Sequence, residues 1–149
     1  LLIMTPYLDA GFLLTIFVRA SGTSIAHGLL RESAPFSINS LHQLQTENLL
    51  VSLRHSSDPN RQTVAIEGQR LWRNYLAEGV LGLVEADWNS ALRVALSWNA
   101  RYREAPPPPL LLLHPALALV AGASDFFSFD PRSRAVAKAA GLRLQPARL

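Results

Sequence analysis

Two aspartates close apolar runs at opposite ends of the chain: Asp9 ends "IMTPYLD" and Asp130 ends "DFFSFD". An apolar run that stops at an acid is the pattern of a buried strand whose carboxyl end opens onto a site. In open parallel sheets, ligands bind beyond those ends. Two carboxylates arriving there from distant parts of the sequence offer the hard oxygen ligands a divalent cation needs. Such a cation would activate water for hydrolysis. Each acid also has a plain structural explanation. Asp9 stands where it can cap the helix that follows, and Asp130 before Pro131 reads as an N-cap with proline at the first helical position.

The other reactive residue types do not assemble into a site. The histidines, at 27, 42, 55 and 114, lack the close spacing of zinc ligands. There is no cysteine, so disulfides, thiolate metal sites and a cysteine nucleophile are excluded. No GxSxG elbow and no glycine-rich phosphate loop occurs. The net charge of +3 comes from 13 Arg and one Lys against 11 acids. This suits an RNA partner and equally an arginine-rich composition. Arg54, Arg61, Arg70 and Arg73 are candidates for lining one edge and touching phosphates.

The elements that must carry Asp9 and Asp130 follow from hydrophobic pattern and punctuation. Strands are expected at 3–8, 34–39, 80–86, 125–130 and 142–146. Helices are expected at 12–18, 21–32, 39–55, 63–79, 87–104, 110–121 and 131–141. Asn39 or Ser40 caps the third helix, and Leu41, Leu44, Leu49 and Leu53 give it an apolar stripe. Asp87 caps the fifth, with Trp88, Leu92, Ala95, Leu96 and Trp98 mostly on one side. The prolines at 106–109 form a stiff connector. Alternating strands and helices over 149 residues argue for one α/β domain, 1–149, with a mainly parallel sheet. The apolar stretch "LLLLHPALALVAG" is too short for a membrane span of about 20 residues. Pro6 and Asp9, with no basic leader, argue against an N-terminal span or signal peptide. A cysteine-free chain without these segments fits the cytoplasm. Leu1 in place of Met leads us to expect that some native N-terminus is missing.

The order of these motifs resembles that of PIN domains. "YLDAGFLL" is similar to their opening strand, Asp and helix. "FSINSLHQLQTENLL" resembles their second strand and the following helix, which carries Glu. "HPALALVAGASDFFSFDPRSRAVAKAAGLRL" resembles their C-terminal third. Similarity covers roughly residues 4–145, and the nearest branch is the VapC-like toxin ribonucleases. The resemblance implies a central parallel sheet of about five strands flanked by helices, and in active members RNA cleavage by Mg²⁺ or Mn²⁺ held on three or four carboxylates. It places Asp9 on the first acid, Asp130 on the last and Ser128 on the hydroxyl position just before it. Two positions depart from the pattern. Gln45 stands where the helix should carry Glu, and Leu111 where Asp should stand three residues before His114.

With the acids reduced to Asp9 and Asp130, a metal is expected to bind weakly and nuclease activity to be weak or absent. The chain would then serve in binding RNA or an antitoxin-like protein. The alternative is an active Mg²⁺- or Mn²⁺-dependent endoribonuclease working from Asp9 and Asp130 alone. Glu47 cannot replace Gln45, because two residues along a helix turn it to the other side. His114 is read as a helix residue bonded to a backbone carbonyl. Homodimerisation is implied by the resemblance, and an excess of apolar residues at Phe12, Leu13, Ile16 and Phe17 is its local support.

Overall fold

The computed structural model describes residues 5–149, so the expected strand start at residues 3–4 lies outside the described residues. The elements run β1 (Tyr7–Leu8), α1 (Ala10–Phe17), α2 (Thr23–Ser33), β2 (Phe36–Ile38), α3 (Ser40–Arg54), α4 (Pro59–Ala77) and β3 (Leu81–Leu83). They continue with α5 (Trp88–Asn99), α6 (Pro109–Val120), β4 (Asp125–Phe127), α7 (Pro131–Ala139) and β5 (Arg143–Gln145). This is an α/β chain, and the strand pairings among the described residues are parallel. None of its helices is long and apolar enough to cross a membrane, among the described residues.

The strands fall into two sheets, β1-β4-β5 and β2-β3. In place of the expected single sheet of about five strands, the described residues form a three-stranded and a two-stranded parallel sheet. The chain divides into two compact units. One joins the segment ending at Asp9 to Glu85–Leu149, and the other is Ala10–Val84.

In the first unit, β4 lies between β1 and β5. Leu8, Phe126 and Phe127 are buried, as expected for strands covered on both faces. Helix α6 packs against α5 and α7. Its first residue is Pro109, one residue before the helix start expected from sequence and inside the expected proline connector. At that position a missing N–H costs nothing and the fixed φ suits the helix. Helix α7 ends in a Schellman turn: Gly141, at φ 87°, donates to Lys138 O, and Leu142 donates to Ala137 O. Helix α5 corrects the sequence reading. Leu92 and Leu96 are exposed, Trp88 and Trp98 are half-buried, and Ala91 is its buried residue.

In the second unit, α1 packs against α2, α3 and α4. Phe12, Leu13, Ile16 and Phe17 are all buried within the chain, so they are not surplus apolar surface and lend the dimer no local support. Phe17 meets the edges of Trp72 and Tyr75, with ring centroids 5.3 and 5.7 Å away. Helix α4 starts at Pro59, four residues before the expected start, because Asp58 caps it by accepting from Asn60 N at 2.9 Å. Asn39 caps α3 through Leu41 N and His42 N, and His42 Nδ1 accepts the Asn39 amide in return. The buried stripe of α3 is His42, Thr46 and Leu50, whereas Leu44 of the expected stripe is exposed. The four arginines do not share one edge. All are exposed; Arg70 lines a cleft with α1 and α2, while Arg73 lines one with α3.

Candidate functional site

Leu8 is in register with Phe127, and the Asp9 amide adds a further rung by donating to Phe127 O at 2.9 Å. The chain therefore leaves β1 and β4 at the same carboxyl edge. Asp9 leads directly into α1, and Ser128, Phe129 and Asp130 lead into α7. Asp9 thus follows β1 directly and Asp130 lies three residues past β4, the parallel strand beside it. Asp9 is 5 % exposed. A carboxylate so placed keeps its charge only through polar partners.

Asp130 is half-buried and already occupied. Its Oδ1 accepts from Arg132 N at 2.8 Å and from Ser133 N at 3.4 Å, capping α7. The Arg132 guanidinium closes on the same carboxylate, with NH2 3.1 Å from Oδ2. Burial pushes the Asp130 carboxyl up. The side-chain bond from Arg132, the two amide bonds and the Arg132 charge outweigh it, and hold the group below its ordinary value.

Ser128 is fully buried. Its hydroxyl accepts the Asp130 amide at 3.1 Å, its amide donates to Gln145 O at 3.0 Å, and its carbonyl accepts from Arg134 NH1 at 2.9 Å. Arg134 also donates to Pro146 O at 2.7 Å. This buried guanidinium ties the turn after β4 to the end of β5, and burial lowers its pKa. The serine hydroxyl thus shapes the turn that presents Asp130.

Leu111 is half-buried in the first turn of α6. One turn on, His114 is buried and its Nδ1 lies 2.9 Å from the Tyr7 hydroxyl. The partner of this ring nitrogen is a tyrosine two residues before Asp9. Gln45 lies half-buried on α3, in the Ala10–Val84 unit. Glu47 is exposed, and accepts from Gln43 Nε2 at 3.0 Å and from Trp72 Nε1 at 3.4 Å.

For a metal, the edge offers the carboxylates of Asp9 and Asp130. Among the described residues no group of three or more His, Asp or Glu is placed to hold an ion. The fit to Mg²⁺ or Mn²⁺ is poor, because a cation would have to compete with the Arg132 guanidinium for Asp130 Oδ2 and with the Arg132 and Ser133 amides for Oδ1. Sequence reasoning missed Arg132, Arg134 and the Tyr7–His114 pair. Only Arg134 left a trace, since four residues from the Asp130 cap is one helical turn.

Over 89 residues, 60% of this chain, the sequence is 29% identical to a tRNA(Ile)-lysidine synthase of Solibacter usitatus (strain Ellin6076). The matched segment is 20% of that protein, so the chain spans about a fifth of the length of its curated relative. No protein-family model and no solved structure matches the chain.

Proposed function

We propose that the chain is a PIN-like domain of the VapC type with a degenerate metal site, and that it binds RNA without cleaving it. The observation that carries this reading is the Arg132–Asp130 pair at the end of β4. A guanidinium supplies the positive charge that a metal would bring, and two α7 amides also bond the carboxylate. Leu111 offers no donor. The RNA partner comes from the family resemblance and fits the net charge of +3. The matched relative's name also carries a tRNA. An antitoxin-like protein is the other partner the resemblance suggests.

A second reading keeps cleavage. It rests on Asp9 and Asp130 still standing at the ends of paired strands. A Mn²⁺ titration by calorimetry, run beside RNA binding and RNA cleavage assays, separates the two. The binding reading expects no saturable Mn²⁺ uptake below millimolar concentration and RNA that is retained but intact. RNA cleavage that needs Mn²⁺ and vanishes in Asp9→Asn would replace it with the nuclease reading.

A further inference from the structure

Helices α5 and α7 both pack on α6, and a cleft of about 250 Å³ lies between the end of α5 and the flank of α7. That volume is below the roughly 300–1,000 Å³ of drug-sized ligand sites, and leaves room for one flat ring. One wall is aromatic, made by Trp98 in the last turn of α5 and Tyr102 just past its end. The chain keeps turning there: Arg101 N donates to Trp98 O and Tyr102 N to Asn99 O. Arg101 and Tyr102 therefore follow Trp98 by three and four residues on the same side, as neighbours on a helical surface do. The other lining residues are Ala135, Val136 and Ala139 of α7 and Ala140 just past its end. Tyr102 is 41 % exposed, and Arg101 is exposed with no ion pair among the described residues.

We infer that this cleft is a stacking site for a single nucleobase of an RNA strand. Trp98 and Tyr102 receive the base, and Arg101 meets the adjoining phosphate. Every base has a π face, so two aromatic rings beside a guanidinium bind single strands with little sequence preference. The alanines of α7 keep the slot open, where a longer side chain would fill it. A bare anion is not the ligand, because Arg101 is the only charged residue lining the cleft. The inference rests on the RNA-binding reading, but on residues separate from the acidic edge.

The test follows the Trp98 indole N–H by NMR, assigned with Trp98→Phe, while adenosine, adenosine 5′-monophosphate, inorganic phosphate or a short single-stranded RNA is added. Adenosine and its monophosphate should shift that signal upfield, and phosphate alone should not. Arg101→Gln should weaken the monophosphate and leave adenosine unchanged. Tyr102 lies outside any helix, so Tyr102→Ala should fold. It should weaken RNA binding about tenfold, while Tyr102→Phe retains it. RNA that binds the native chain and Tyr102→Ala equally overturns the cleft and leaves the RNA-binding reading standing. A Trp98 shift with the monophosphate but no RNA binding supports the cleft and removes that reading. A Trp98 signal that ignores every nucleotide, or moves only with protein concentration as an interface between copies would, overturns the inference.

Discussion

The Tyr7 hydroxyl lies 2.9 Å from His114 Nδ1, joining β1 to α6 across 107 positions of sequence. Both side chains are buried, so the bond pairs polar atoms that folding removes from water. The Tyr7 ring also stacks on Phe126, with centroids 6.0 Å apart and planes 7° from parallel. Tyr7→Phe keeps that stack and removes only the hydroxyl. It should destabilise the fold by about 1–3 kcal/mol, since the histidine nitrogen is left without this partner. Urea denaturation measures this, and an unchanged midpoint would show that the pair contributes nothing.

Two helical glycines should respond in opposite directions to the same substitution. A Cβ on Gly68 in α4 would stand 2.6 Å from the Phe17 carbonyl oxygen and 2.8 Å from Leu50 Cδ2. The carbonyl is backbone and cannot swing away. Gly68→Ala should therefore cost about 1–3 kcal/mol, despite alanine's better helix propensity. Gly28 in α2 has nothing within 4 Å of that position. Gly28→Ala should stabilise by about 0.5–1 kcal/mol. Thermal melts of the two variants decide it, and equal shifts of the same sign would show that α1 and α4 do not approach so closely.

Acid should unfold the chain through carboxyls that are easier to ionise when folded. Hydrogen bonds from Arg143, aligned with Asp125 in the β4–β5 register, hold the Asp125 carboxyl below its ordinary 3.8. Asp87 is lowered by its Ser90 hydrogen bonds, and Asp130 is lowered as described. A depressed folded-state pKa adds stability that is fully present above the unfolded value of 3.8 and is lost as pH falls through the folded one. The melting temperature should not respond to these groups between pH 5 and 7, roughly, and should fall below about pH 4. Asp125→Asn should blunt that fall by less than about 1 kcal/mol, because Arg143 is largely exposed. An acid limb identical in the variant would remove Asp125 from this account.

The succession of strands and helices was legible because each apolar run ends at a cap, a glycine or a proline. Asp58-Pro59 reads as a turn from sequence, yet it is the cap and first residue of α4. The buried stripe of α3 was hidden because His42 and Thr46 are polar, and periodicity counts apolar residues. In α5 the opposite happened, and an apolar face turned out to be largely exposed. The division into two sheets depends on pairing between distant strands, which no local pattern encodes. At the candidate site, Asp9 and Asp130 could be found because each ends a strand. What engages Asp130 could not, since an arginine two residues past a cap looks like any solvated helix residue.

If the carboxyl edge of β1 and β4 is a degenerate metal site, as proposed, an acid at Leu111 should strengthen metal binding. Leu111 is the third residue of α6, a helix with no acid in its first turn and no side-chain cap. A carboxylate there meets the positive end of the helix dipole, worth about 0.3–1 kcal/mol. That offsets part of the roughly 1–2 kcal/mol lost with a half-buried leucine. Leu111→Asp should therefore fold. The new carboxylate would join Asp9 and Asp130 as a third charged oxygen donor in the same unit. The formal charge supplied by these three positions changes from about −2 to −3, which favours a hard cation. Arg132 competes for Asp130, so Arg132→Ala should help the Leu111→Asp variant more than it helps the native chain. The expected outcome is Mn²⁺ affinity about tenfold tighter in the variant, a gain of roughly 1.4 kcal/mol. RNA cleavage should appear only with Mn²⁺ present, because the ion both binds and activates the attacking water. Calorimetry reads the first and gel analysis of a labelled RNA reads the second. A correctly folded Leu111→Asp variant that takes up Mn²⁺ no better than the native chain would show that Leu111, Asp9 and Asp130 do not form one site.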